Sequence, residues 1–354
     1  MKTLSGRSIV VVGAGALGSA CALAAARAGG RVTLIDSAPL AANASGIAAG
    51  MLAPAFESAL DPVSAGQFVL LSAARDLWPG FVDDLGPTGL DRCGALLKAS
   101  DHVLEAAWGR LRAQGCRVEL TGDQLFTPDD WRIEPRLALA AFRQALIDLG
   151  GQTIRAQATR IESGVLHLDD GSSVGFDALV LACGFGGWPL APELSVLTPI
   201  KGQLLRYADA GPREGPILRG ERGYLAPGME GAVVGATMEA GRSDLAVDSL
   251  ATERLRAQAA RLYPGLAAAK AEPFTGIRAA TPDGLPMIGA SSTPGVWLAT
   301  GARRNGWLFA PLAAKLIIEA MTGNEDHAWK AAVFAPGRFP AGSAGAEHDG
   351  NADL

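Results

Sequence analysis

Cysteine, histidine and basic excess are all in short supply in this 354-residue chain. Its four cysteines, Cys21, Cys93, Cys116 and Cys183, stand far apart with no CxxC among them. That excludes a disulfide scaffold and a structural zinc site. The four histidines, His102, His167, His327 and His348, show no metal-ligand spacing. With 31 Lys and Arg against 36 Asp and Glu, the net charge is −5, whereas a general nucleic-acid surface needs clustered cations. Charged residues make up only 19% and hydrophobic ones 49%, which excludes disorder for most of the length. Residues 8–26 carry no charge and could imitate a secretory signal or a short membrane span. Gly13, Gly15 and Gly18 interrupt that stretch and Gly29-Gly30 closes it, so no membrane span is expected. The composition fits a cytoplasmic globular protein of two domains, or one large α/β unit with an insertion.

What is present begins with Ser8-Ile9-Val10-Val11-Val12, a β-branched run suited to a strand buried on both faces. Gly13-Ala14-Gly15-Ala16-Leu17-Gly18 follows, then Ala-rich sequence to Arg27, then a second strand Arg31-Val32-Thr33-Leu34-Ile35 closing on Asp36. The length and glycine spacing are those of a β-α-β dinucleotide-binding unit. Gly13 permits the tight turn, Gly15 lets pyrophosphate approach the backbone, and Gly18 lets the helix lie on the strand. The helix end offers free N–H groups to the diphosphate, and Asp36 can accept from the adenosine ribose. The unit disfavours NADP but does not separate NAD from FAD. The small-residue run from Asn43 to Pro54 reads either as close backbone approach to something flat or as an Ala-rich helix start.

From Asp61 to about Gly150 the pattern is mainly helical, ending in the amphipathic stretch from Leu137 to Leu149. Short alternating strands follow over 152–168, with Asp169-Asp170-Gly171 as a hairpin turn. A buried strand over 176–184 ends in glycine, and Cys183 beside it reads as packing rather than a reactive thiol. The strand-like pieces between Leu197 and Met238 suggest an antiparallel sheet of a second domain, followed by an amphipathic helix from Leu250 to Tyr263. Near the C-terminus, Gly276-Ile277-Arg278 in a turn precedes the strand Gly295–Thr300. Gly301-Ala302-Arg303-Arg304-Asn305-Gly306 then leads into an apolar helix from Trp307 to Met321, stopped by Gly323. Such a second strand-turn-helix would aim another positive helix end at a ligand.

These pieces occur in one order: the Gly13–Gly18 fingerprint with Asp36, the Ser45–Pro54 run, Pro199–Leu204, Gly235–Met238, Gly276–Arg278 with Pro282–Pro286, and Arg304-Asn305-Gly306 with Ala310-Pro311. Together, over roughly residues 8 to 323, they resemble the FAD-dependent D-amino-acid oxidase family, most closely its glycine oxidase branch, the ThiO type of thiamine biosynthesis. The resemblance implies an α/β fold: a Rossmann-like FAD-binding domain of glutathione-reductase type with an inserted antiparallel-sheet substrate domain. The expected division is 1–85, 140–190 and 275–330 for FAD, 86–139 and 191–274 for substrate, and a disordered tail over 335–354.

The resemblance also implies site residues. Around FAD these are Gly13, Gly15, Ala16, Leu17, Gly18, Asp36, Ser37, Ala44, Ser45, Ala49, Gly50, Met51, Ala158, Gly184 and, along the isoalloxazine edge, Ala302, Arg303, Arg304, Asn305, Gly306, Trp307 and Leu308. Arg278 would pair with the substrate carboxylate, Arg304 would lie near flavin and carboxylate, and Tyr224 and Met238 would line the substrate cavity. Ala302 stands where the family usually has histidine. No cysteine follows Cys183, so the flavin should be noncovalent. The implied reaction is oxidative deamination of glycine or a small amino acid or secondary amine, with O2 taking the electrons. The alternatives are a D-amino-acid or secondary-amine dehydrogenase with another electron acceptor, an NAD-binding dehydrogenase, or a nucleotide-binding protein without turnover. A homo-oligomer is compatible with the sequence.

Overall fold

The computed structural model describes residues 3–187, 189–324 and 332–339. Two sheets organise it. The first has six strands in the order Met287–Ala290, Val296–Thr300, Ala178–Leu181, Ser8–Val12, Arg31–Asp36 and Gln152–Arg155. All neighbours in it are parallel except the Met287–Ala290 and Val296–Thr300 pair. Ile9, Val10, Val11 and Val12 are all buried, as expected of a parallel strand covered on both faces. The second sheet has nine strands, built around the long Thr198–Ala208 strand, which pairs with Gly231–Gly235, Glu239–Ala240 and Glu272–Ala280.

Helix Ala16–Arg27 packs against both the first sheet and the C-terminal helix Gly306–Thr322, which also rests on that sheet, and nine of its twelve residues are buried. Alanine suits that position because two helices separated only by small side chains approach closely. The stop at Gly323 is as expected: its φ of 67° is left-handed and its N–H returns to the Ala320 carbonyl. The fingerprint glycines are demanded by packing before any ligand is considered. A Cβ on Gly18 would stand 1.8 Å from the Gly13 carbonyl oxygen, and one on Gly13 2.3 Å from that of Ala182.

Several expectations need correction. The region 61–150 is helical over Phe68–Arg75, Trp78–Val82, Asp101–Ala113 and Pro135–Asp148, but Ala95–Lys98, Glu119–Thr121 and Gln124–Thr127 are strands of the larger sheet. They are too short to show a period, and Ala95–Lys98 is held by parallel pairing with Ile217–Gly220, far along the chain. Arg278 is not in a turn but inside the Glu272–Ala280 strand. That strand hydrogen-bonds to Thr198–Ala208, so a boundary at 275 cuts through the larger sheet. A boundary at 140 likewise cuts helix Pro135–Asp148, whose Ala138, Leu139, Phe142 and Leu146 pack with the first helix. The tail is ordered at its start. Arg338 pairs with Asp283 at 2.8 Å, next to Phe334, which lies just before the expected tail and is buried edge-on against Phe309. Residues 340–354 lie outside the described residues. Among the described residues no helix is long and apolar enough to cross a membrane.

Replacing Gly18 with alanine forces the first helix away from its strand, because the obstacle is backbone. Gly18→Ala is expected to lower both the melting temperature and the flavin content of the purified protein; a variant matching wild type in both would show that the close packing is dispensable.

Candidate active site

The first glycine turn builds a ready anion site. Gly15 is the N-cap of helix Ala16–Arg27 and has no side chain to fill the first turn. The Ala16 N–H donates to Ser45 Oγ at 3.0 Å, which leaves the N–H groups of Leu17 and Gly18 for a diphosphate. Asp36 holds the turn from the other side, accepting from Ala14 N–H at 2.6 Å on one oxygen and from Ala38 N–H at 2.8 Å on the other. Each oxygen keeps a second acceptor position, as a ribose hydroxyl requires.

The C-terminal turn arrives at the same place. The Trp307 indole N–H donates to the Ser45 carbonyl at 3.1 Å, so Ser45 joins the two glycine-bearing turns through two different oxygens. The small-residue run around it folds as a single helical turn, Ala44–Ile47, and a short strand, Met51–Leu52. Ala44 and Ile47 rest against Gly276, while Arg206 donates to the Gly46 and Ile47 carbonyls at 3.1 and 2.9 Å. The run is thus fixed between the two sheets. Its shape and the free helix end fit a flat dinucleotide cofactor such as FAD.

Beside this junction lies a cavity of about 180 Å³. Arg278, Arg304, Tyr224 and Met238 all line it, together with Ala44, Ala49, Gly50, Met51, Asn305 and Trp307. The structure therefore brings together the four expected substrate residues and part of the expected flavin set. Arg278 lies flat over Gly202: a Cβ there would be 2.3 to 2.5 Å from its guanidinium atoms. Its Nη1 donates to the Thr237 carbonyl at 3.2 Å. Among the described residues the guanidinium engages this one backbone acceptor, so the rest of the fork is available to the cavity.

Glu57 balances this positive wall. It is buried on helix Pro54–Leu60, with Arg219 Nη2 at 3.0 Å from Oε1 and Arg304 Nε at 2.9 Å from Oε2. The Arg304 N–H is not directed at Oε2, which has no hydrogen bond, so that contact is an ion pair by charge alone. Arg219 Nη1 reaches the Met51 sulfur at 3.4 Å, a weak acceptor. The helix bearing Glu57 is anchored by Asp130, which accepts from the Ala55 and Phe56 N–H groups at 2.7 and 3.2 Å.

Electrostatics follow from burial and these neighbours. Burial pushes Arg278 down to about 10, with Tyr224 and Glu57 opposing and Arg304 and Arg303 assisting; it remains a cation at neutral pH. Burial also lowers Arg304, but Glu57, Asp61 and Tyr224 leave it above the usual arginine value. Burial raises the Tyr224 phenol, against the pull of Arg278, Arg304 and Arg219. Asp130 is pushed up to about 7 by burial, with Arg219 lowering and Glu57 raising it. Burial lifts Cys183 to about 11, in line with packing rather than reactivity.

Other expected residues stand apart from the cavity. Arg303 turns away to pair with buried Asp61, and the Leu308 side chain is wholly in the core, so only backbone groups there could face a ligand. Ala302 is buried and bridges to Ala280 beside the Arg278 strand. Gly306 opens the C-terminal helix, and Gly184 accepts from Thr300 Oγ1 at 3.4 Å. Ser37 and Ala158 flank the Asp36 end of the sheet: Arg155 reaches the Ser37 carbonyl, and Ala158 starts a three-stranded antiparallel sheet. Sequence reasoning missed Glu57, Arg219, Arg206 and Asp130, and carried Gly202 only within the Pro199–Leu204 run. Of the four missed, Glu57 left a trace, as the one charge between Asp36 and Asp61.

A model of the FAD dependent oxidoreductase family (DAO) matches residues 8–320. The chain is 29% identical over 361 residues to glycine oxidase of Pseudomonas aeruginosa, covering 90% of this chain and 95% of that protein. It is 31% identical over 343 residues to the tRNA 5-methylaminomethyl-2-thiouridine biosynthesis bifunctional protein MnmC of Maricaulis maris, covering 94% of this chain. It spans about half of that relative, 55% of its length. The crystal structure of glycine oxidase from Geobacillus kaustophilus matches with a TM-score of 0.83 at 24% identity, covering 94% of this chain and 99% of that one; this likeness establishes the fold, with its Rossmann-like dinucleotide domain.

Two outcomes follow from the buried acids. Glu57→Gln strands two guanidiniums and should cost on the order of 3 kcal/mol in urea unfolding. An unchanged midpoint would remove Glu57 as their counter-charge. Asp130, ordinarily near 3.8, is raised to about 7 in the folded protein, so the folded state holds a proton the unfolded state releases. Its contribution is present at low pH and is lost as pH rises through that window. Asp130→Asn should therefore flatten the stability-against-pH curve between those values.

Proposed function

The chain belongs to the FAD dependent oxidoreductase family, and from that premise we propose that it oxidatively deaminates glycine or another small amino acid or secondary amine, as a noncovalent FAD enzyme. The observation that carries this reading is the Arg278 fork, laid over Gly202 with one backbone acceptor and otherwise open to the cavity. A guanidinium in that setting suits a carboxylate held through two parallel hydrogen bonds. The acidic chain, at −5, favours a small substrate over the tRNA named for the Maricaulis relative.

In this reading Arg278 fixes the carboxylate and so sets where the substrate Cα and amine lie. Tyr224, held neutral and buried beside Arg278, borders the carboxylate end and can donate to it. Met51, Met238 and Trp307 make the wall apolar where Cα–H must be kept from water. Arg304 and the N-terminal end of helix Gly306–Thr322 add positive potential on the side nearest the C-terminal turn. Bound FAD supplies the two-electron acceptor, with O2 as the terminal oxidant and hydrogen peroxide as product. The substrate loses a hydride from Cα and a proton from nitrogen, and the imino acid so formed is hydrolysed by water. Among the described residues no histidine lines the cavity, in keeping with a reaction driven by orientation rather than by a protein base. A glycine-consuming role in thiazole formation belongs to the same proposal and depends on glycine being a substrate.

Peroxide release from glycine, sarcosine and small D-amino acids tests the reading directly. Turnover of these with an artificial acceptor but without oxygen uptake would make the protein a dehydrogenase instead. Arg278→Ala should weaken substrate binding by about 3 kcal/mol, roughly a hundredfold, and Arg278→Lys should recover only part, having charge without the fork. Unaltered kinetics in Arg278→Ala would show that the carboxylate is held elsewhere.

A further inference from the structure

Arg278 reaches its protein acceptor across a strand. Its own strand, Glu272–Ala280, pairs with one edge of Thr198–Ala208, while Gly231–Gly235 and Glu239–Ala240 pair with the other. The guanidinium passes over Gly202 and donates to the Thr237 carbonyl on the far side. Whatever holds that carbonyl therefore aims the fork, and the strand pairing there is irregular. Leu204 faces Gly235 and Lys201 faces Glu239, so residues 202–203 lie opposite residues 236–238. The extra residue on the second side makes a bulge, a device that re-aims groups beside a site.

Thr237 closes the bulge with its side chain. Residues in a regular hydrogen-bonded antiparallel pair exchange both N–H···O bonds. Gln203 and Thr237 make half of that exchange through the backbone, the Thr237 N–H donating to the Gln203 carbonyl at 3.0 Å. The buried Gln203 N–H donates instead to Thr237 Oγ1, at 2.8 Å. The hydroxyl thus takes the carbonyl's part, and the carbonyl is left to Arg278. Thr237 Oγ1 in turn donates to Glu239 Oε1 at 3.0 Å, and Glu239 Oε2 accepts from Arg242 Nη1 at 2.6 Å. Accepting one N–H while donating its own proton, the hydroxyl is held in one orientation. Ala236 and Met238 line the cavity and Thr237 does not, so Thr237 acts on a ligand through Arg278.

We propose that the Thr237 hydroxyl is a positioning group for the Arg278 fork, with Glu239 fixing the hydroxyl. This rests on the reading that Arg278 receives the substrate carboxylate. Without the hydroxyl, the Gln203 N–H takes back the Thr237 carbonyl, and the fork loses the acceptor that orients it toward the cavity.

The test is acetate binding to the FAD-loaded protein, followed by visible flavin absorption, so that no turnover is needed. Thr237→Val keeps the branched shape without the hydroxyl and is expected to weaken acetate binding about tenfold. Thr237→Ser keeps the hydroxyl and should bind within about twofold of wild type. In an Arg278→Ala background, Thr237→Val should make less than about twofold further difference, because residues acting as a unit are non-additive. A packing defect would instead add the same loss in both backgrounds. Should Thr237→Val fail to load FAD, Glu239→Ala carries the test. It should weaken acetate binding about threefold, again only while Arg278 is present, and unchanged binding there counts against the proposal equally. Unchanged binding in Thr237→Val, an equal loss without Arg278, or no recovery in Thr237→Ser overturns the positioning role alone. Acetate binding that is absent from wild type, or indifferent to Arg278→Ala, overturns the carboxylate reading and the positioning role with it, so the two failures are told apart.

Discussion

Glu57 is the charge on which the candidate site turns. Three guanidiniums converge on one cavity, and without an internal carboxylate their mutual repulsion and desolvation would open it. Glu57 is buried between two of them, on a helix whose own first N–H groups are held by a second buried acid, Asp130. That arrangement lets Arg219 and Arg304 be packed against apolar walls while Arg278 stays uncommitted. The site is therefore a compromise: enough negative charge to fold, too little to satisfy every cation. In the proposed function the unsatisfied remainder is what would receive the substrate carboxylate.

The two sheets divide this work. The parallel sheet supplies glycine turns and helix ends, which bind through backbone groups and tolerate few side chains. The antiparallel sheet supplies the side chains: Arg278, Gly202, Tyr224 and Arg219 sit on four different strands of it. A flat, regular surface places such groups at fixed spacings, and the small-residue run from Asn43 to Leu52 lies between the sheets.

How much of this could be read beforehand depended on how local the cause was. The first strand, turn and helix were legible because glycine spacing, β-branched residues and Asp36 all act within thirty residues. The C-terminal helix and its Gly323 stop were legible for the same reason. The short strands between 95 and 127 were not, since their pairing is decided by Ile217–Gly220, far away in sequence. Arg278 was identified by resemblance but placed in a turn. Its strand is defined by nine residue pairs with Thr198–Arg206, which no local pattern reveals. Gly202 was visible only as part of the Pro199–Leu204 run and Arg219 left no trace at all, because their meaning arises only when strands meet.

The bond from the Trp307 indole to the Ser45 carbonyl spans 262 positions of chain. During synthesis, the wall around Ser45 stays incomplete until Trp307 has left the ribosome. A nascent chain stalled before helix Gly306–Thr322 would have the nucleotide turn but not the Trp307 side chain that closes on Ser45.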